Sequence, residues 1–295
     1  MNHFPTKILL ATDGSEDAAQ AREAAVDLAR KGSSELHLVH VWHDVPSPYA
    51  HAFVKRELKR QGQEILDEQV TKIKEAGGTV AKAHLRCGRT SDEVIRLSEE
   101  LGAGLLVVGS RGRRQVRRIL MGSHSEDIVH HAHLPVLVLR CVEDAWPPVR
   151  VVIGDDLSEE AKEAGELAAS IARLFEADTL LVHVYPYLLY ESSDPKAQES
   201  VRQSEKVLKE RANRLEGILG YKPRVEMLAG NPAEAILGAT RGAGPTLVAV
   251  GSRGLGGVGR MRLGSVSTKV VRVRAAPGSA LVCCPHVERD QSQAR

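Results

Sequence analysis

The chain is poor in aromatic residues. Three phenylalanines, two tryptophans and five tyrosines make up 3% of its 295 residues. Its cores must therefore be built from valine, leucine, isoleucine and alanine. Cysteine is scarce as well. Cys87, Cys141, Cys283 and Cys284 have no metal-ligand spacing, so a reducing, cytoplasmic setting is expected. No apolar run approaches the ~20 residues that cross a bilayer, and no membrane partner is expected. The opening stretch MNHFPTKILLATDG lacks the pattern of a cleaved leader. A net charge of +2 is too small to call for nucleic acid or an acidic surface. Three common motifs are also missing. There is no GxxxxGK(S/T) phosphate loop, no GxGxxG after the first strand and no GxSxG nucleophile elbow.

What the sequence does have is a repeat. LLVVGSRG (105–112) lies over LVAVGSRG (247–254) at an offset of 142, with six of eight positions identical. At that offset Gly88 falls on Gly230, Gly122 and Ser123 on Gly264 and Ser265, and Pro135 on Pro277. Nearer the start of each half the offset is 143, which puts ELHLVHVW (35–42) over DTLLVHVY (178–185) and Asp13 over Asp156. The seam is DAWPPVR (144–150), whose paired prolines fit neither helix nor strand. The expected units are 1–143 and 149–285, with a polar, disordered tail at 286–295.

Each half alternates short apolar runs with helical spacing. In the first half, strands are expected at 7–11, 35–41, 79–85, 104–109 and 136–140. Helices are expected at 15–31, 52–76, from Ser91 and from Ser123. In the second half the strands fall at 149–153, 178–184, 223–228, 246–250 and 279–283, and the helices at 158–175, 196–218, 232–241 and 265–274. Ser15 reads as an N-cap, and Ser123 with Glu126 has capping-box spacing. Such alternation means an α/β fold: two copies of a five-stranded parallel sheet with helices on both faces. In such sheets ligands bind beyond the carboxyl ends of the strands, where strand order reverses.

The loops at that edge carry the candidates. Asp13 and Asp156 follow the first strands, where a carboxylate can accept from sugar hydroxyls or simply hold a turn. Val41 and Val184 end the second strands, as core residues or against an adenine face. His40 and His183 recur beside them and read as core histidines. After the fourth strand comes a frame of Gly-x2-Gly-x9-Gly-Ser: Gly109, Gly112, Gly122 and Ser123, then Gly251, Gly254, Gly264 and Ser265. Glycines can take positive φ, and bare N–H groups at a helix start make an anion site to which a serine hydroxyl adds a donor. The other reading is an ordinary glycine loop with a capping serine; two copies of one frame favour the anion site.

These residues, with HLPVLVL after the first frame, resemble the universal stress protein family, in tandem over nearly the whole chain. The resemblance implies a Rossmann-like five-stranded fold whose domains pair through their last strands, a pairing a tandem chain can make internally. It implies ATP across the carboxyl edge. Thr12, Asp13 and Asp156 would meet adenine or ribose, Val41 and Val184 adenine, and the two glycine frames ribose and phosphates. A stress-response or signalling module follows, as a homodimer with a protein partner the sequence does not name. Slow ATP hydrolysis is the alternative. His124 could act as a base, but its counterpart is Val266.

Two departures stand out. The second half has Leu157 in place of Gly14 and what reads as an extra acid, Asp155, which could repel a triphosphate or help hold Mg2+. The first half fills its loop with Arg113, Arg114, Gln115, Arg117 and Arg118. These can strengthen phosphate binding or lie solvated. With no aromatic platform nearby, they do not call for nucleic acid.

Overall fold

The structure, a computed structural model, describes residues 4–15, 17–44, 52–110, 121–139, 146–187, 194–252, 263–272 and 279–284. Gly112, Gly254, the Arg113–Arg118 cluster and the tail 286–295 lie outside the described residues.

The first half runs β1 (Lys7–Ala11), α1 (Asp17–Gly32), β2 (Glu35–Trp42), α2 (Ala52–Glu75), β3 (Lys82–Cys87), α3 (Thr90–Leu101), β4 (Leu105–Gly109), α4 (Ser123–His131) and β5 (Val136–Leu139). The second half repeats it: β6 (Arg150–Gly154), α5 (Glu159–Phe175), β7 (Asp178–Tyr185), α6 (Pro195–Leu219), β8 (Arg224–Ala229), α7 (Pro232–Gly238), β9 (Thr246–Gly251), α8 (Ser265–Arg272) and β10 (Ser279–Cys284). The strand order is β3-β2-β1-β4-β5-β10-β9-β6-β7-β8. Every pairing within a half is parallel. The halves join where β5 and β10 pair antiparallel, Val138 opposite Leu281 and Val136 opposite Cys283. The two five-stranded sheets are thus one ten-stranded sheet.

The central strands β1, β4, β6 and β9 are apolar and covered on both sides, as parallel strands must be. One face packs α1, α2, α5 and α6 around a single cluster that spans both halves, from Leu28 and Leu66 to Ile171 and Leu215. Trp146 lies in that cluster at the joint, edge-on to Phe175 at 4.9 Å between ring centres, with Nε1 donating to Asp27 Oδ2 at 3.1 Å. The other face packs α3, α4, α7 and α8 on residues such as Val94, Ile128, Ile236 and Val270.

Some boundaries depart from the sequence pattern. The third strand starts at Lys82 rather than 79, because α2 ends at Glu75, Gly77 turns the chain with φ of 76°, and residues 78–81 carry it across to Leu36, whose carbonyl accepts from Ala81. Helix α7 stops at Gly238 rather than near 241. Thr240 Oγ1 turns back to Leu237 O, and Gly242 and Gly244 take positive φ.

Candidate functional site

Helices α1 and α2 lie on one face and α3 and α4 on the other, so the crossover changes face between β1 and β4. That is the switch point, and the loops after β1 and β4 flank it. In the second half the loops after β6 and β9 do the same, since β6 pairs with β9.

The first loop is built alike in both halves. Thr12 N donates to Val39 O and Asp155 N to Val182 O, at 3.0 and 2.9 Å. Gly14 N donates to Thr12 Oγ1 at 3.1 Å, and Leu157 N to Asp155 Oδ1 at 2.7 Å. Ser15 N donates to Asp13 Oδ1 at 3.0 Å, and Ser158 N to Asp156 Oδ1 at 3.1 Å. The carboxylates of Asp13 and Asp156 are therefore held by the turn itself and stay half-buried at the mouth of the crevice. Ser15 Oγ and Ser158 Oγ cap the next helix by accepting from Ala18 N and Ala161 N, both at 3.2 Å.

These matched bonds correct the reading of Asp155 as an extra acid beside the phosphates. Asp155 takes the place of Thr12 and is 4% exposed. Burial pushes its carboxyl above the ordinary range, against the pull of the Leu157 N–H and of Arg211. Its oxygens are engaged inward and are poorly placed for a metal. Among the described residues no three His, Cys, Asp or Glu side chains gather around a common point. Leu157 has φ of 72°, matching the 74° of Gly14. The turn is conserved between halves although the glycine is not.

His40 and His183 are buried, and each Nδ1 lies against a carbonyl of the first loop: Thr12 O at 2.8 Å and Asp155 O at 2.6 Å. They tie the second strand to the loop, as core histidines do. Val41 is buried and Val184 half-buried, both against the α3/α4-type face.

The fourth loop shows the same duplication. Gly122 N donates to Ser110 O at 2.7 Å and Gly264 N to Ser252 O at 2.6 Å. Ser125 Oγ donates to Gly109 O at 2.7 Å and Ser267 Oγ to Gly251 O at 2.6 Å. Each loop is thus stitched shut at its base, with the helix start pinned to the strand end. Ser110, Ser125, Ser252 and Ser267 were missed by the glycine frame. Their signal was present in GSRG at both 109 and 251, and in GSHS and GSVS at 122 and 264.

Two expectations change. Ser123 is the first helical residue and not the cap. Gly122 is the N-cap, with φ of −76°, and no side chain caps α4. The capping box does not form because the helix begins at Ser123, one residue earlier than a cap at Ser123 requires. Ser123 and Ser265 are exposed at the helix starts. Secondly, Gly109 and Gly251 do not take positive φ. Glycine is needed at 251 for closeness, since a Cβ there would lie 2.8 Å from Ala161 N and 3.0 Å from Glu160 C. The end of β9 is pressed against the first turn of α5, which brings the two loops together.

Around the first-half crevice His43 and His124 stack with ring centres 6.0 Å apart, and Thr90 Oγ1 lies 3.2 Å from His43 Nε2. The second half has Pro186 and Val266 there, so this feature is not shared.

The universal stress protein family model matches residues 5–140 and again 149–277. A universal stress protein of Mycobacterium tuberculosis is 29% identical over 297 residues, covering 92% of this chain and 95% of that protein. One from Methanocaldococcus jannaschii is 30% identical over 139 residues, 45% of this chain and 81% of its own length. Among solved structures, a universal stress protein from Archaeoglobus fulgidus is 26% identical with a TM-score of 0.69, covering 95% of this chain and 98% of that one. With both halves matched, the chain belongs to the universal stress protein family.

Proposed function

We propose that each half holds one ATP at its carboxyl edge and that the chain acts as a nucleotide-dependent stress-response or signalling module. The observation that carries this reading is the twin frame. Gly122 and Gly264 close the fourth loops onto Ser110 and Ser252 with the same bond, beside an acidic residue held by the same turn. A frame that served one half's packing alone would not need to be built twice in such detail.

The residues fit the ligand. The first N–H groups of a helix have no intrahelical acceptor, and α4 offers them none from a side-chain cap. They, with the hydroxyls of Ser123 and Ser265, would hold phosphate oxygens, and the helix field favours the negative charge. Thr12, Asp13 and Asp156 would take the ribose, Val41 and Val184 the adenine, and Gly109, Gly112, Gly251 and Gly254 would let the backbone approach. Binding rather than turnover is favoured because the one candidate base, His124, has Val266 as its twin. The halves pair through β5 and β10, so further self-association would use another surface.

The experiment is ATP titration of the single-site variants. Gly122→Val and Gly264→Val put a branched side chain where the backbone must face the ligand. Each is expected to remove one bound ATP per chain and leave the other; full binding by both variants would overturn the placement.

A further inference from the structure

Each half carries an arginine on one of its first two helices, and the helix differs between the halves. In the first half Arg22 on α1 donates Nη1 to Gln69 Oε1 on α2 at 2.7 Å. At the repeat offsets the counterparts are Gly165 on α5 and Arg211 on α6, so the arginine has moved to the second helix. The residue at the strand end differs as well, Thr12 in the first half and Asp155 in the second.

Arg211 is 9% exposed. Its Nη2 donates to Leu157 O at 3.2 Å and Ser158 O at 2.9 Å, and lies 3.4 Å from Glu159 Oε1. Its Nε lies 3.9 Å from Asp155 Oδ2. Asp155 Oδ1 meanwhile accepts from Leu157 N at 2.7 Å. Both peptide groups of Leu157 are therefore fixed, the N–H by Asp155 and the carbonyl by Arg211. This explains how a leucine stands at φ of 72°, where the first half uses glycine: the pair over-determines a turn that the side chain opposes. Asp156 is the residue inside that turn. A cavity of about 10 Å3, bordered by Asp155, Gly165, Glu166 and Arg211, lies where the first half has the root of its arginine.

We infer that Arg211 is a positioning residue of the second-half site: with Asp155 it clamps the β6–α5 turn and presents Asp156 in its binding geometry before nucleotide arrives. This rests on the nucleotide reading above and adds that the two sites are unequal, the second depending on a helix, α6, that does not touch the ligand in that reading.

The test is ATP titration in the two single-site backgrounds. With Gly122→Val leaving the second site, Arg211→Met is expected to raise Kd about ten-fold, since it removes charge-assisted bonds to two carbonyls, and Arg211→Lys to fall between. With Gly264→Val leaving the first site, Arg211→Met should change Kd less than about two-fold, because that site is remote and additive. A merely structural role would weaken both sites alike or neither, and either pattern overturns the proposal. Hydrogen exchange separates this from failure of the nucleotide reading. Without ATP, the amides of Leu157 and Ser158 should exchange faster in Arg211→Met, or in Arg211→Lys should the former not fold. Unchanged exchange there overturns the clamp even if the chain binds no ATP.

Discussion

Gly251→Ala probes the contact that brings the two loops of the second half together. The added Cβ would stand 2.8 Å from Ala161 N, where ordinary contact begins near 3.4 Å. The obstacle is backbone on both sides, so β9 and the first turn of α5 must part by roughly half an ångström. Overpacking of this kind costs about 1–3 kcal/mol, and removing a glycine from the unfolded chain returns about 0.4–1 kcal/mol. A net loss of about 1–2 kcal/mol follows, or roughly 2–8 °C in melting temperature at ~2–4 °C per kcal/mol. Ala161 N is also the group capped by Ser158 Oγ, so the displaced turn carries Asp156 with it and second-site binding should weaken. Gly165→Ala is the control. There the new Cβ meets a single side-chain atom, Cγ2 of Ile153 at 3.2 Å, rather than backbone, and helix propensity favours alanine by about 0.5–1 kcal/mol, so the two effects oppose and stability should change by less than about 1 kcal/mol. The assay is urea unfolding with ATP titration on the same samples. A Gly251→Ala protein within 0.5 kcal/mol of the parent, by the error common to such comparisons, and with unchanged binding would refute the reasoning.

The joint between the halves should be energetically shared. Trp146→Ala removes a buried indole that touches Phe175 of α5 and Asp27 of α1, and should cost about 3–5 kcal/mol. Trp146→Phe keeps most of the ring and loses the bond to Asp27, for about 1–2 kcal/mol. In both variants Trp42 alone reports fluorescence, and its transition should coincide with circular dichroism; two separated transitions would contradict a shared core. Asp155 gives a pH signature. Its carboxyl is raised by burial, so the folded state holds the proton longer than the unfolded state. Stability of the parent relative to Asp155→Asn should fall as pH rises above about 4 and level off below it. A difference that grows with pH would contradict the burial.

Much of the architecture was legible because parallel strands covered on both faces leave unbroken apolar runs, such as LLVVG and TLVAV, while the amphipathic helices between them do not. The third strand was misplaced by three residues because β3 is an edge strand, half-exposed, and its pattern KAHLRC hardly differs from the turn before it. At the site, the repeat made Gly122 and Gly264 visible but hid their reason, which is a bond to Ser110 and Ser252 across the loop. Gly251 was read as a source of positive φ when it answers to a neighbouring backbone, a contact that no local pattern carries. The offset of 143 already sets Asp155 opposite Thr12, but only the structure shows that its carboxyl is buried and takes over the turn bond of the Thr12 hydroxyl. The exchange of Arg22 and Gln69 for Gly165 and Arg211 escaped because each position, compared singly, shows only a lost or gained charge. Packing of α1 on α2, and of α5 on α6, turns the two changes into one.

The central claim is that the duplicated frame is a duplicated nucleotide site. Equilibrium dialysis of Mg-ATP against the full-length chain tests it most directly, by counting bound nucleotide at saturation. The account predicts two ATP per chain, falling to one in Gly122→Val and to one in Gly264→Val. A chain that binds none, or whose count is untouched by both substitutions, would contradict it.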